Sequence, residues 1–320
     1  MTATMAMRGV SVGEAHAKVI VVGEHAAVFG YPVLAAPLPA LSARTEVRQA
    51  DGPIGLVSPF YTGPLRRAPA VFDGIKALLE AARARLALPH RDMILKLSSN
   101  IPIGRGLGSS AALAASLVRA LYRSCGESPD PFTLLDLIDI AETFAHGSPS
   151  GVDAAAVVAG GMISYRKGLA ATPVRTSRPL HFVVADSGIP SATRQAVAEV
   201  RRRLARAAAD TRLRLGEIGR LAEVAAAAAK EGDARRLGET MNGAQRELDA
   251  LGVSHPVLDH LLLAAGRAGA LGAKLTGGGQ GGSVLCLAED LQAAERIALA
   301  LRSQGAKATW LAGTREEAAL

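Results

Sequence analysis

Hydrophobic and polar positions alternate in two rhythms along this chain. Short apolar runs bounded by Gly, Pro, Ser or Asn read as strands, and longer stretches with apolar residues three and four apart read as helices. Lys18–Val22 is one such strand, ending at Gly23-Glu24-His25, and Thr45–Arg48 is another. Residues 68–88 read as a helix closed by Pro89. Met93–Leu97 alternates as a strand and leads through Ser98-Ser99-Asn100 into a glycine-rich loop. Helices follow at 109–124 and 132–146, and Pro149-Ser150-Gly151 opens a short one at Val152–Val158. Gly160-Gly161 breaks it before a strand at Met162–Tyr165.

The character changes near 172–181, where Pro173 and Pro179 stand among scattered Arg and Ser. His181–Ala185 then reads as a strand, 190–249 as long alanine-rich helices, and 256–269 as a further helix. Strands at Ala273–Thr276 and Ser283–Leu287 flank a second glycine run; a helix at 289–303 and a strand at Lys307–Leu311 close the pattern. Mixed helices and strands with antiparallel hairpins predict an α+β class in both halves. The expected division falls near residue 178, giving domains 1–178 and 179–320.

Composition narrows the function. At 320 residues, 49% hydrophobic and 20% charged, the chain has ample core for two domains or one large one. Its net charge of +7 is carried mostly by arginine and suits anionic ligands. The densest basic run, from Arg201-Arg202-Arg203 to Arg220, falls on expected helix and reads as a solvated face. No aromatic residues interleave with it, so nucleic acid is not the expected partner. Cys125 and Cys286 have neither disulfide-framework nor metal spacing, which fits a reducing cytoplasm. No signal pattern and no membrane-length apolar run appear, so no membrane association is expected.

Four segments carry candidate chemistry. The first is Pro102-Ile103-Gly104-Arg105-Gly106-Leu107-Gly108-Ser109-Ser110-Ala111-Ala112, where a glycine loop runs directly into a helix. A helix start offers unpaired N–H groups and the positive end of the helix dipole. Glycines let that backbone approach a ligand, so the place suits phosphate. A turn with a serine cap is the alternative, but three glycines and two serines exceed what capping requires. The segment fits neither G-x-x-x-x-G-K-[ST] nor G-x-G-x-x-G.

The second segment is Lys18-Val-Ile-Val-Val-Gly23-Glu24-His25, a hydrophobic strand with a lysine at its start and polar groups at its end; an edge lysine and a plain turn would look the same. The third is Glu142-Thr-Phe-Ala-His146-Gly147-Ser148-Pro149-Ser150-Gly151-Val152-Asp153. Glu142 and His146 share a helix face, and Asp153 falls in the first turn of the next helix, where the dipole favours a charged carboxylate that could serve as a base. First-turn acids are also common without any such role. The fourth is Lys274-Leu275-Thr276-Gly277-Gly278-Gly279-Gln280-Gly281-Gly282, a turn almost free of Cβ atoms that admits a phosphate or nucleotide.

Together, over nearly the whole chain, these segments resemble the GHMP small-molecule kinases, and within them the branch that phosphorylates mevalonate. Lys18 to Pro32 is similar to that branch's K-V-I-L-x-G-E-H-x-V-V-x-G-x-P, His146 to Asp153 to H-G-x-P-S-G-[IV]-D, and Lys274 to Gly282 to K-L-T-G-x-G-x-G-G. The resemblance implies a two-domain fold, with an N-terminal domain like ribosomal protein S5 domain 2 and a ferredoxin-like C-terminal domain. It also implies ATP and Mg²⁺. The loop Pro102, Gly104, Gly106, Leu107, Gly108, Ser109, Ser110 and Ala111, with Gly278 and Gly279, would take ATP.

By the same resemblance Ser110 and Glu142 would hold Mg²⁺, Asp153 would be the catalytic aspartate, and Lys18 would contact the reacting hydroxyl and the γ-phosphate. Glu24, His25, His146, Ser150, Gly151, Thr193 and Thr276 would line the substrate side. The implied reaction is transfer of phosphate from ATP to the C5 hydroxyl of (R)-mevalonate, in the cytoplasm, on the route to isoprenoids; a homodimer stays open. The chain departs from the branch at Ala15-His16-Ala17, where Pro-Gly usually precedes the lysine, and at Gln280, which stands at a glycine or small-residue position. Galactokinases would show G-E-H-T-D-Y, homoserine kinases would lack the S-G-x-D aspartate, and the decarboxylase branch would carry Y-W-G-K. A mevalonate 3-kinase, a kinase of a related hydroxy acid, or a non-catalytic nucleotide-binding paralogue remain the alternatives.

Overall fold

The computed structural model describes residues 9–89, 91–146 and 150–314; the side chains of Arg91, Ala145 and His146 lie outside that description. In chain order the elements are β1 (Val10–Val22), β2 (Val33–Pro53), β3 (Gly55–Ser58), β4 (Tyr61–Pro64), α1 (Asp73–Leu86), β5 (Arg91–Ser99), α2 (Ser109–Ser124), α3 (Pro131–His146), α4 (Val152–Ala159), β6 (Ile163–Tyr165), β7 (Thr172–Pro173), β8 (His181–Asp186), α5 (Thr193–Arg206), α6 (Ala208–Glu231), α7 (Ala234–Ala250), α8 (Pro256–Arg267), β9 (Gly272–Thr276), β10 (Ser283–Ala288), α9 (Leu291–Ser303) and β11 (Ala308–Gly313). The α+β class expected from the pattern is what forms.

Two compact units share these elements. The first takes in the chain up to Ala17, Leu41–Ile101 and Gly108–Val158; the second takes in Lys18–Ala40, Pro102–Leu107 and the chain from Ala159 onward. Strands β1 and β2 pair with each other, and each runs through both units.

In the first unit the sheet order is β4-β3-β5-β2, with β3 parallel to β5 and β2 antiparallel to it. Helix α2 lies close on β1, because a Cβ at Gly13 would sit 2.0 Å from the Ser116 carbonyl oxygen. The contact with β2 carries one buried polar pair, Thr45 Oγ1 and Ser116 Oγ at 2.7 Å. Small residues on α2 (Ala111, Ala114, Ala115, Ala120) permit this approach, and all are fully buried. Helices α1, α2 and α3 pack on one another, so the first turn of α2 stands on a fixed base.

In the second unit, Val33–Ala35 of β2 pair with β6, which pairs with β7. The second sheet is antiparallel throughout, in the order β11-β8-β10-β9. Its inner strands are near-continuous apolar runs, buried along their length. Val183, Ala185, Val284 and Cys286 face a core completed by Leu258 and Leu261 of α8 and Ile297 and Leu301 of α9. Ala26, in the 3-10 turn after β1, belongs to the same core, and Tyr31 packs against it.

At one end of this sheet the register sets Asp186, Ser283 and Thr276 side by side on β8, β10 and β9. At the β9 edge no further strand follows; instead α7 turns two side-chain amides to it. Asn242 Oδ1 accepts from the Ala273 N–H and Gln245 Oε1 accepts from the Leu275 N–H, both at 2.9 Å.

The structure departs from the sequence pattern at several elements. Strand β1 starts at Val10 rather than Lys18, and β2 spans Val33–Pro53 rather than Thr45–Arg48. The β3–β4 hairpin and β7 were not anticipated. Helix α1 starts at Asp73, after 3-10 turns at Leu65–Arg67 and Ala70–Phe72. The helices expected over 190–249 do form, and there are three: Ala207 breaks the first from the second, and Gly232 and Asp233 end the second and cap the third. The Asp233 carboxylate accepts from the Arg236 N–H at 3.0 Å.

Candidate functional site

The glycine loop is shaped by what its carbonyls do. Gly104 O accepts from the Ser191 N–H at 2.7 Å, and Leu107 O accepts from the Lys18 N–H at 3.1 Å. Arg105 O accepts from Ser283 Oγ at 3.1 Å, and Gly106 O from Lys18 Nζ at 3.1 Å. Four successive carbonyls are therefore turned into the second unit. Across a trans peptide the next N–H points the opposite way, so the N–H groups of Arg105 to Gly108 turn outward. Gly104, Gly106 and Gly108 have φ of 69°, 76° and 73°. Positive-φ glycines alternating with residues of negative φ can curl successive N–H groups into an anion-binding concavity. The loop then enters α2, whose first turn carries Ser109 and Ser110, both half-buried, and the fully buried Ala111. Pro102 opens the loop, half-buried.

The second glycine loop abuts the first. A Cβ at Gly277 would lie 2.7 Å from Gly106 Cα, and one at Gly278 would lie 2.3 Å from Thr193 Oγ1. Only hydrogen fits at either place. Thr193 opens α5 on the exposed side, with its hydroxyl 3.1 Å from Ser191 Oγ. Gly279 is buried beside it.

The turn after β1 is buried and polar. Glu24 is 1% exposed, and its Oε1 forms an ion pair with Nζ of Lys274, itself wholly buried. Burial raises the Glu24 carboxyl above its ordinary pKa and lowers the Lys274 ammonium, each opposed by the other's charge. His25 Nε2 lies 3.0 Å from the Gly278 carbonyl. A carbonyl can only accept, so the ring proton sits on Nε2 and Nδ1 is left as an acceptor. Burial lowers the His25 pKa to about 4, so the ring is neutral at ordinary pH. Glu24 Oε2 and His25 Nδ1 are both buried without a hydrogen-bond partner among the described residues. Neighbouring open acceptors of this kind suit a ligand that brings hydroxyl donors.

Thr276 has a different place from the one expected. Its hydroxyl accepts from the Ile20 N–H at 2.9 Å and donates to the Ile20 carbonyl at 3.1 Å. It bridges β9 to β1 two residues beyond Lys18 and is 1% exposed.

The first unit holds the remaining expected residues. Glu142 is buried on α3, which packs against α2 where Ser110 stands. Ser150 and Gly151 lead into α4, and Asp153 sits half-buried in its first turn. The His146 side chain lies outside the described residues. The second unit thus gathers Lys18, Glu24, His25, Pro102, Gly104, Gly106, Leu107, Thr193, Thr276, Gly278 and Gly279. The first gathers Gly108, Ser109, Ser110, Ala111, Glu142, Ser150, Gly151 and Asp153.

Three functional neighbours escaped the sequence reading: Lys274, Arg105 and Asp186. A lysine inside an apolar strand was the available signal for the first, since a buried ammonium requires a carboxylate. For Arg105 the signal was a large cation between two loop glycines.

Residues 71–161 match the GHMP kinases N terminal domain, and residues 225–307 match the GHMP kinases C terminal family. The mevalonate kinase of Aeropyrum pernix is 36% identical over 306 residues, covering 88% of this chain and 89% of its own. That of Thermococcus sibiricus is 33% identical over 316 residues, covering 91% and 92%. The crystal structure of L. major mevalonate kinase in complex with R-mevalonate matches with a TM-score of 0.83 over 99% of both chains, at 23% identity. A likeness at that identity speaks for the fold.

Proposed function

We propose a reaction for this chain from one premise: it belongs to the GHMP kinases, and within them to the mevalonate kinases. The reaction is ATP-dependent phosphorylation of (R)-mevalonate at its C5 hydroxyl. The observation that carries it is the bond from Lys18 Nζ to the Gly106 carbonyl, which fixes an ammonium beside the anion-binding loop. A loop that takes phosphates and a cation held against it are what phosphoryl transfer requires, since alignment and charge neutralisation make up most of its catalysis.

The roles follow from chemistry at named atoms. The N–H groups of Arg105 to Gly108 and the first turn of α2 bind the phosphates of ATP. Asp153 accepts the proton of the attacking hydroxyl, its charge favoured by the start of α4. Lys18 offsets charge on the transferring phosphoryl. Glu24 Oε2 and His25 Nδ1 accept from hydroxyls of the substrate, and the Lys274 ammonium cancels the Glu24 charge that would repel the mevalonate carboxylate. Ser110 and Glu142 fit Mg²⁺, because one hydroxyl and one buried carboxylate on two packed helices are the hard oxygen donors this ion takes beside water and phosphate. When bound, that ion would neutralise phosphate charge.

The family matches lie on either side of residue 178. The division into residues 1–178 and 179–320 is accordingly proposed as a boundary between sequence families. The cytoplasm is the proposed compartment: both cysteines are free and buried, and among the described residues no helix is long and apolar enough to cross a membrane.

An ATP-coupled assay with mevalonate, galactose, homoserine and phosphomevalonate in parallel tests the proposal. Turnover should be confined to mevalonate, with NMR placing the new phosphate on C5. A C3 phosphate, or preference for another acceptor, would overturn it.

A further inference from the structure

Arg105 is the one charged side chain in the phosphate-binding loop, and it is held from both ends. Its guanidinium runs to the end of β8, where Nε lies 2.7 Å from Asp186 Oδ1 and Nη2 donates to the Gly188 carbonyl at 3.0 Å. The Gly188 N–H donates to the same Asp186 oxygen at 2.8 Å, so the two acceptors are fixed relative to each other. Its main-chain carbonyl accepts from Ser283, which sits in register beside Asp186. Arg105 and Asp186 are 8% and 3% exposed.

The loop needs such an anchor. Glycines at 104, 106 and 108 leave its backbone free to take many shapes, and the anion-binding shape is one of them. The other bonds to the loop carbonyls are one each from Ser191 and Ser283 and two from Lys18, through its N–H and its Nζ. The Arg105 guanidinium adds an ion pair to Asp186 and a hydrogen bond to Gly188 where water is largely excluded. A lysine has no fork and could serve only one of the two acceptors.

We propose that the Arg105–Asp186 pair is a clamp that holds the glycine loop ready for phosphate, making Arg105 a positioning residue for nucleotide binding. The clamp acts before any ligand arrives, so its loss weakens nucleotide affinity by letting the loop leave its binding shape. The proposal rests on the kinase reading above.

The test compares full-length wild type with Arg105→Met, Arg105→Lys and Asp186→Asn. Calorimetry with MgADP reads affinity without chemistry, steady-state kinetics read KM for ATP and for mevalonate, and thermal melting reads stability. Arg105→Met should weaken MgADP binding and raise KM for ATP about tenfold or more, the scale of a lost charged hydrogen bond, with KM for mevalonate within about twofold. Arg105→Lys should recover part of the affinity, and Asp186→Asn should mimic Arg105→Met. Amide exchange at 104–108 should quicken in both clamp variants. If Arg105→Met does not fold, Asp186→Asn and Arg105→Lys carry the same comparison. Variants that melt earlier yet bind MgADP as tightly as wild type would overturn the clamp, reducing the pair to a stabilising contact. A wild type that binds no MgADP would instead defeat the kinase reading itself.

Discussion

At His25 backbone and side chain are both held in uncommon states: φ is 60°, and the buried ring is neutral with a pKa of about 4. A histidine in the unfolded chain titrates near 6.5. As pH falls the unfolded chain therefore takes up a proton first. The stability tied to the neutral ring is complete above pH 6.5 and is lost as pH falls to about 4, a difference of about 3 kcal/mol. Urea unfolding across that window should show wild type losing more stability than His25→Asn, whose side chain does not titrate there. Parallel curves would free His25 of this role. Asp153 answers to a kinetic measurement. Asp153→Asn should keep the fold and lose on the order of 10²-fold or more in kcat, the lower end of general-base contributions. Near-full activity would take the carboxylate out of the reaction.

Among the elements, β1 and β9 are joined by the Thr276 hydroxyl. Thr276→Val keeps the shape but leaves the Ile20 N–H and C=O buried without that partner. It should cost ~1–3 kcal/mol in urea unfolding. An unchanged midpoint would show that Ile20 finds another partner. The sequence pattern captured β8 and β10 because buried strands appear as near-continuous apolar runs. It missed most of β2, where Pro37, Pro39 and repeated alanines are poor strand formers and tertiary pairing decides. It shortened β1 for the same reason, at Gly13, Ala15 and Ala17. Of the site, contiguous motifs were legible, because a glycine loop before a helix is a local pattern. The pairs Glu24–Lys274 and Arg105–Asp186 were not. The first joins residues 250 apart, and no local rhythm records such a meeting. Thr276 was legible as a motif residue, but its bonds to Ile20 could only come from the fold.

At the scale of the molecule, the second unit is not a continuous piece of chain. Residues 18–40 supply Glu24 to the buried Lys274 and Ala26 to the C-terminal core. A fragment of residues 179–320 would keep Lys274 and lose its counter-charge, a loss of ~3–5 kcal/mol. Against a typical stability of ~5–15 kcal/mol, with core also missing, that fragment should show no cooperative unfolding transition by circular dichroism. A sharp transition with a denaturant slope suited to its size would show that the C-terminal half folds alone. The same unit also ends a sheet without leaving it open. A bare strand edge is a template on which other chains can add, and through it folded proteins aggregate. On β9 that template is blanked by Asn242 and Gln245, whose amides occupy backbone groups a foreign strand would use. Helix α7 thereby does the work of a border strand, and the closure of this edge rests on two side chains.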